Sequence, residues 1–182
     1  TEIASIYKKK GKVRKAHNVV ILSSIKSARA FQKRLAVIGN IKSDGRPILG
    51  LDAKDVLAIA LECDPKVLFI PAHIWTPWFS VLGAKSGFES IEECFEDLVR
   101  HIFAVETGLS SDPLMNWRLK QLDDFILVSN SDAHSLDKLG REANVFDMEK
   151  PDYLEFVRIL RERDRSAFLE TIEFFPEEGK YH

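Results

Sequence analysis

Three observations predict an α/β fold. Short β-branched and aliphatic runs, "EIASIY", "VVILS", "KVLFIP", "HIFAVE" and "FILV", alternate with helical patterns. No low-complexity stretch or second hydrophobic run marks a domain boundary. The chain has 182 residues, 45% of them apolar, which is enough for one sizeable core. Alternation of this kind predicts parallel strands joined by right-handed crossovers.

The elements follow in chain order. "EIASIY" and "VVILS" read as neighbouring strands separated by "KKKGKVRKAHN", with Gly11 in the connection. From Ile25 to Ile38 the positions Ala28, Phe31, Leu35 and Ile38 recur every three or four residues and predict an amphipathic helix. "GNIKSDGRPILG" is a loop. Asp52 caps a helix running to about Cys63, and "DP" stops it before the strand "KVLFIP". Ser90 and Glu93 form a capping box ahead of "ECFEDLV", and "HIFAVE" is the next strand. Asp112, with Pro113 in the first turn, opens a helix through "LMNWRLKQL". "FILV" and "ANVF" read as strands, and Asp152 to Arg163 as a late helix. Residues 1–175 are taken as one domain and 176–182 as a tail leading elsewhere; the chain reads as a piece of a longer protein.

The polar clusters fall just past strands. His73 follows "FIPA", Glu106 ends "IFAVE", and Asp132 and His134 follow "FILVSNS". In α/β sheets and barrels the loops after strand carboxyl ends gather on one face, so these four residues are expected together. Converging His, Asp and Glu side chains suit Zn, Mn or Fe. Each has a plainer reading alone: His73 as a satisfied polar residue, Glu106 as a helix cap, and the D-x-H pair as a surface turn. The case rests on their recurrence at strand ends.

Other chemistries find no support. The sequence has no G-x-x-x-x-G-K-[ST], no G-x-G-x-x-G after a strand, and no G-x-S-x-G. Ser129 and Ser131 lie beside His134, but Asp132 is too near in sequence for a triad member. Metal-assisted hydrolysis fits better. Cys63 and Cys94 sit in apolar helical patterns and read as reduced core residues of a cytoplasmic protein. The start lacks the apolar centre of a signal peptide, and no apolar run reaches the roughly 18 residues of a membrane span.

Charge is uneven. Residues 1–50 hold 12 Lys and Arg against Glu2 and Asp44, while the net charge of the chain is only -2. Between Lys8 and Lys15 most residues are basic, which reads either as an anion-binding surface or as a solvated hairpin tip.

"TE", "RKAH", "AHIWTPWFS", "VETGLSSDP" and "SNSDAHS", with the later "LGREAN", closely resemble the PHP (polymerase and histidinol phosphatase) superfamily. The fullest match is to its endonuclease Q-like branch, and it runs over nearly the whole chain. The resemblance implies a distorted (βα)7 barrel, incomplete here at its N-terminus. It also implies phosphoester hydrolysis at a cluster of divalent ions (Zn, Mn or Fe, with Mg also compatible) at the carboxyl ends of the strands. That branch nicks DNA on the 5′ side of deaminated bases such as uracil and hypoxanthine, and at abasic sites. DNA is therefore the expected partner, and a homodimer through the open barrel edge is a further expectation.

By resemblance, Glu2, His17, His73, Asp132 and His134 are metal ligands, with Glu106 near the metals and Asp132 and His134 also catalytic. The family's first-strand H-x-H has no counterpart here, nor do the zinc-binding and helical regions expected downstream. His182 has no assignment. Expected substrate contacts are Lys8, Lys9, Lys10, Trp75, Trp78, Asn130 and Arg141. Trp75 and Trp78, with Phe79, are read either as walls for an extruded base or as packing. Arg141, Asn130, Ser131 and Asn144 flank the D-x-H turn as phosphate contacts, with a helix carboxylate as the alternative partner of Arg141. Two other readings stay open: a small-molecule phosphoesterase, and a PHP domain kept for structure or DNA binding without catalysis.

Overall fold

The computed structural model describes residues 1–42 and 45–181. His182 lies outside them.

The chain opens with a hairpin. Strand β1 (Glu2–Lys9) pairs antiparallel with β2 (Lys12–Ile21). The expected loop between them is only a two-residue turn, and the basic run continues both strands. Lys10 and Gly11 have φ of 50° and 76°, the left-handed conformations that a tight hairpin matching strand twist demands. That turn makes the pair antiparallel, in line with the hairpin-tip reading of the basic run.

Helix α1 (Ile25–Ile38) matches its expected span and is capped by the Ser24 hydroxyl. It is followed by the short strand β3 (Ile48–Leu49), α2 (Ala53–Cys63) and β4 (Leu68–Pro71). The order β3-β1-β2-β4 makes a four-stranded sheet, with β3 parallel to β1 and β4 antiparallel to β2. Helix α3 (Ile91–Phe95) passes into a 3₁₀ turn over Glu96–His101. Strands β5 (Ala104–Glu106) and β6 (Ile126–Val128) pair in parallel, as the crossover rule expects.

Between them, α4 is only Pro113–Asn116, shorter than the apolar spacing suggests. The Asn116 amide turns back onto the Asp112 carbonyl at 2.7 Å and accepts from the Trp75 indole N–H, also at 2.7 Å. Side chains bonded this way compete with helix continuation. Strand β7 (Ala143–Phe146) pairs antiparallel with β8 (Phe168–Ile172), across α5 (Tyr153–Glu162). Among the described residues the strands form sheets of four, two and two, and no closed barrel.

Alternation along each strand builds two cores. One face of the hairpin sends Ile3, Tyr7, Ala16 and Val20 against Phe31 and Leu35 of α1 and Val56 and Leu57 of α2. The other sends Val19 and Ile21, with Leu68, Ile70, Ala104, Ile126 and Val128, against Val157 and Leu160 of α5. Glu2, Lys15 and His17 belong to this second face. The polar cluster therefore grows directly out of the rim of the α5 core.

Candidate metal centre

Glu2 enters from β1, His17 from β2, and His73 from the residue after β4's loop begins, so three elements converge. His17 Nδ1 lies 2.8 Å from Glu2 Oε1. His17 Nδ1 and His73 Nε2 are 3.2 Å apart, and His73 Nε2 is 3.7 Å from Glu2 Oε1. Ligand atoms about 2.0–2.1 Å from a tetrahedral Zn stand about 3.3 Å from one another. The three separations bracket that value, so the donor set and its spacing suit one divalent ion. All three ligand atoms lie within 4.8 Å of one another.

Neighbours fix each ligand. The Thr76 hydroxyl donates to the Trp78 carbonyl at 2.8 Å, so its oxygen accepts from His73 Nδ1–H at 3.0 Å. In neutral His73 this leaves the Nε2 lone pair facing Glu2 and His17, the arrangement that supports a metal-bound imidazole. The His17 ring rests on Phe79, centroids 4.6 Å apart, and its backbone N–H donates to the Phe79 carbonyl at 2.9 Å. Arg46 Nη1 lies 3.2 Å from both Glu2 oxygens.

Burial alone would raise the Glu2 pKa, but bonds from His17 and His73 and the Arg46 charge hold it well below the carboxylate range. Burial lowers the His17 pKa, against the pull of Glu2, and so favours the neutral, ligating form. Burial would also lower that of His73, yet Glu2, Glu106 and Asp132 together raise it. Glu2, Glu106 and Asp132 thus surround the His73 imidazole with carboxyl groups, with Arg46 on the far side of Glu2.

His73 and Asp132 have φ of 30° and 42°, conformations that cost non-glycine residues about 1–3 kcal/mol and gather at functional sites. Gly108, at φ 72°, lies against His73: an added Cβ would stand 2.6 Å from the His73 Cβ.

The remaining predicted site residues divide. Glu106 is 3% exposed and does not join the three-ligand cluster. Its Oε2 accepts from the His73 backbone N–H and its Oε1 from Asn130, both at 2.7 Å. Burial pushes its pKa up. It positions the His73 turn and faces a cavity of about 220 Å³ lined also by Glu2, His73, Asn130, Asp132 and Asn144. Asp132 faces both this cavity and a wider one of about 730 Å³. His134 is exposed, lines only the wider cavity, and bonds through Nδ1 to the Asp132 carbonyl at 2.9 Å. Among the described residues neither member of the D-x-H pair joins the three-ligand cluster: Asp132 borders both cavities and His134 the wider one.

The expected substrate contacts divide too. Lys9 and Lys10 pair with Glu96 and Glu93 at 2.6 and 3.3 Å. With exposed Lys8 they sit at the turn end of the hairpin, about 20 Å along β1 from Glu2. Trp75 packs on the main core with its N–H used by Asn116, so the packing reading holds for it. Trp78 is 48% exposed at the mouth of the wider cavity. Arg141 donates to the Ser131 carbonyl at 2.9 Å and lies over Phe174, so it braces the D-x-H turn. Asn130 is likewise committed to Glu106 and Asn144.

The wider cavity also brings in Lys15, from the end of the basic run, and Arg46, Thr76, Ser110, Lys180 and Tyr181, to which the motifs gave no individual role. Only Lys15 carried a local signal, since it lies two residues before His17 on a strand and therefore shares its face.

No family model matches the sequence. The chain is 41% identical over 115 residues to the uncharacterized protein YqxK of Bacillus subtilis, across 63% of this chain and 29% of that protein. It is 33% identical over 114 residues to the uncharacterized protein MJ0043 of Methanocaldococcus jannaschii, across 60% of this chain and 14% of that one. The chain thus spans less than a third of the length of these curated relatives. In structure it is similar to the lesion-specific endonuclease PfuEndoQ of Pyrococcus furiosus. The TM-score is 0.81 at 28% identity, covering 100% of this chain and 43% of that one.

Proposed function

We propose that the chain carries a metal-dependent phosphodiester-hydrolysing site of the PHP, endonuclease Q-like kind. The whole protein would nick DNA on the 5′ side of deaminated bases or at abasic sites. The sheets are then an arc of a distorted (βα)7 barrel. The observation that carries the reading is the Glu2–His17–His73 cluster, whose mutual distances suit a shared divalent ion. The likeness to a lesion-specific endonuclease supports it.

Glu2, His17 and His73 would hold the ion, with Asp132 facing it from the shared cavity wall. A bound Zn, Mn or Fe supplies a water of lowered pKa and a positive charge at the phosphate. The chain's own residues do the rest. Thr76 orients His73, Glu106 holds the His73 turn, and Arg46 orients Glu2. His134 stands exposed on the wall of the wider cavity, within reach of a bound substrate.

The test is incubation of the whole protein, in which the activity is expected rather than in this chain by itself, with duplexes bearing one uracil, hypoxanthine or abasic site, beside an undamaged duplex, with Mn or Zn supplied. A nick confined to the lesion-bearing strand is expected. Absence of cleavage under every metal would overturn the reading. The outlying position of His134 favours one rival, a PHP domain that binds metal and DNA without turnover, which would appear as metal-dependent binding of these duplexes with no nick.

A further inference from the structure

Among the described residues, Lys15 combines two features that no other cation of the basic run shares: no carboxylate partner, and a seat over two aromatic rings. Lys9, Lys10 and Arg14 each face a carboxylate, Glu96 or Glu93. Among the described residues no carboxylate lies within ion-pair reach of Lys15. Its Nζ stands 4.9 Å from the Trp78 ring centroid and 5.1 Å from that of Phe79. Contact with aromatic faces orders an ammonium without neutralising it. Its charge stays available to an incoming anion, and its position is set in advance.

That position is informative. Lys15 and His17 are on the same face of β2, two residues and about 6.6 Å apart along the strand. This is close to one step between successive phosphates of an extended nucleic-acid strand. Lys15, His17, Trp78, Phe79 and Asp132 line the same 730 Å³ cavity. Phe79 touches both side chains, stacking on His17 and lying under Lys15, so one ring sets the spacing between cation and ligand.

We propose that Lys15, held over Trp78 and Phe79, is a positioning residue for the phosphate next to the one being cleaved. The inference rests on the phosphodiesterase reading and narrows its substrate to a polyanionic strand, because a phosphomonoester has no second phosphate to offer. Trp78 then serves chiefly as the platform for Lys15.

The test compares the protein with Lys15→Met, which keeps the length and packing of the stem, and Lys15→Arg, which keeps charge and stacking. Binding of a uracil-containing duplex is followed by fluorescence anisotropy over a salt series. Hydrolysis is measured on that duplex and on bis(p-nitrophenyl) phosphate, a diester with no neighbouring phosphate. The Met variant should lower the salt slope by about 0.9, the value for one phosphate contact. Its loss on the duplex should fall on KM rather than kcat and exceed its loss on the small diester, and the Arg variant should restore both. An unchanged slope, or equal proportional losses on the two substrates, overturns the proposal. A Lys15-dependent slope without hydrolysis of either substrate keeps the phosphate contact and overturns the hydrolase reading. Hydrolysis with a Met variant indistinguishable from the parent does the reverse.

Discussion

Glu2 Oε1 and His17 Nδ1 meet 2.8 Å apart at the open end of one hairpin, far from its Lys10-Gly11 turn. Two residues fifteen apart in sequence become neighbours because the tight turn fixes the register, pairing Ala4 with His17 and Glu2 with Val19. A slip of one residue would send His17 to the opposite face. The hairpin is thus both a packing element and the frame of the metal centre.

Glu2→Gln should weaken metal binding while leaving the hairpin formed. The amide keeps the shape but loses the charge that His17, His73 and Arg46 face. Zn or Mn at about a hundred times its Kd should stabilise the parent protein by about 2.7 kcal/mol. Thermal melts with and without metal should show that rise in the parent and little of it in the variant. An equal rise in both would remove Glu2 from the ligand set.

Asp132→Asn should cost hydrolysis about 100-fold or more, since changes even to groups that merely support metal ligands cost 10- to 100-fold. Asp132 sits at φ 42°, and asparagine is among the few residues that accept the left-handed region readily. Folding is therefore expected to survive, and melting curves check this. Undiminished cleavage with Mn or Zn present would remove Asp132 from the chemistry.

Replacing Lys8, Lys9 and Lys10 together with Ser should leave the salt slope of DNA binding nearly unchanged. The sequence presents these lysines as part of one basic run with Lys15. In the fold, Glu93 and Glu96 already occupy Lys10 and Lys9, at the end of the hairpin away from the cluster. Loss of the exposed Lys10 pair should cost about 0–1 kcal/mol, and most of any drop in stability should come from Lys9, whose largely buried stem lies by Phe88. A slope reduced by about 0.9 for each lysine would return the tip to the binding surface.

What the sequence revealed depended on how local the cause was. The α1 boundaries were legible because Ala28, Phe31, Leu35 and Ile38 carry the helical period themselves. Strands β4, β5 and β6 were legible as apolar runs. The length of α4 was not, because it ends on the bond between Asn116 and Trp75, 41 residues apart. Glu2 and His17 had no local signal and came from family resemblance alone. Arg46 was hidden in a glycine-rich loop, and it reaches Glu2 only because β3 pairs beside β1. The D-x-H pair was visible at once, yet nothing in its spacing foretold that it would border the cavities without joining the three-ligand cluster.

Glu142 should contribute stability that is lost as pH rises from about 5 to about 7. Glu142 is 3% exposed, accepting from the Ser129 hydroxyl at 2.8 Å and the Phe174 N–H at 3.2 Å. Burial pushes its pKa up to about 7. The folded state therefore binds a proton that the unfolded chain has already released above the ordinary glutamate value, and linkage lowers stability across that window. Glu142→Gln, neutral throughout and able to bond both neighbours, should raise the Tm at pH 7.5 relative to the parent by more than it does at pH 5. A variant with the same pH slope as its parent would show that Glu142 titrates as an ordinary carboxylate.

Gly108→Ala should damage the metal centre without touching a ligand. The backbone there has φ 72°, where an L-residue costs about 1–2 kcal/mol. The new methyl would stand 2.6 Å from the His73 Cβ and 2.9 Å from its Cα, so His73 or the Gly108 loop has to move. His73 has little freedom to do so: Glu106 holds its N–H, Thr76 holds its Nδ1, and its own φ is already strained at 30°. Overpacking of this kind adds about 1–3 kcal/mol. For a chain of this length each kcal/mol is worth about 2–4 °C, so the Tm without metal should drop by several degrees. Metal affinity should fall as well, because Nε2 of His73 leaves the spacing that suits a shared ion. Metal titrations and melts on the same samples separate the two effects. A lower Tm with unchanged affinity would mean that the loop yields and His73 does not.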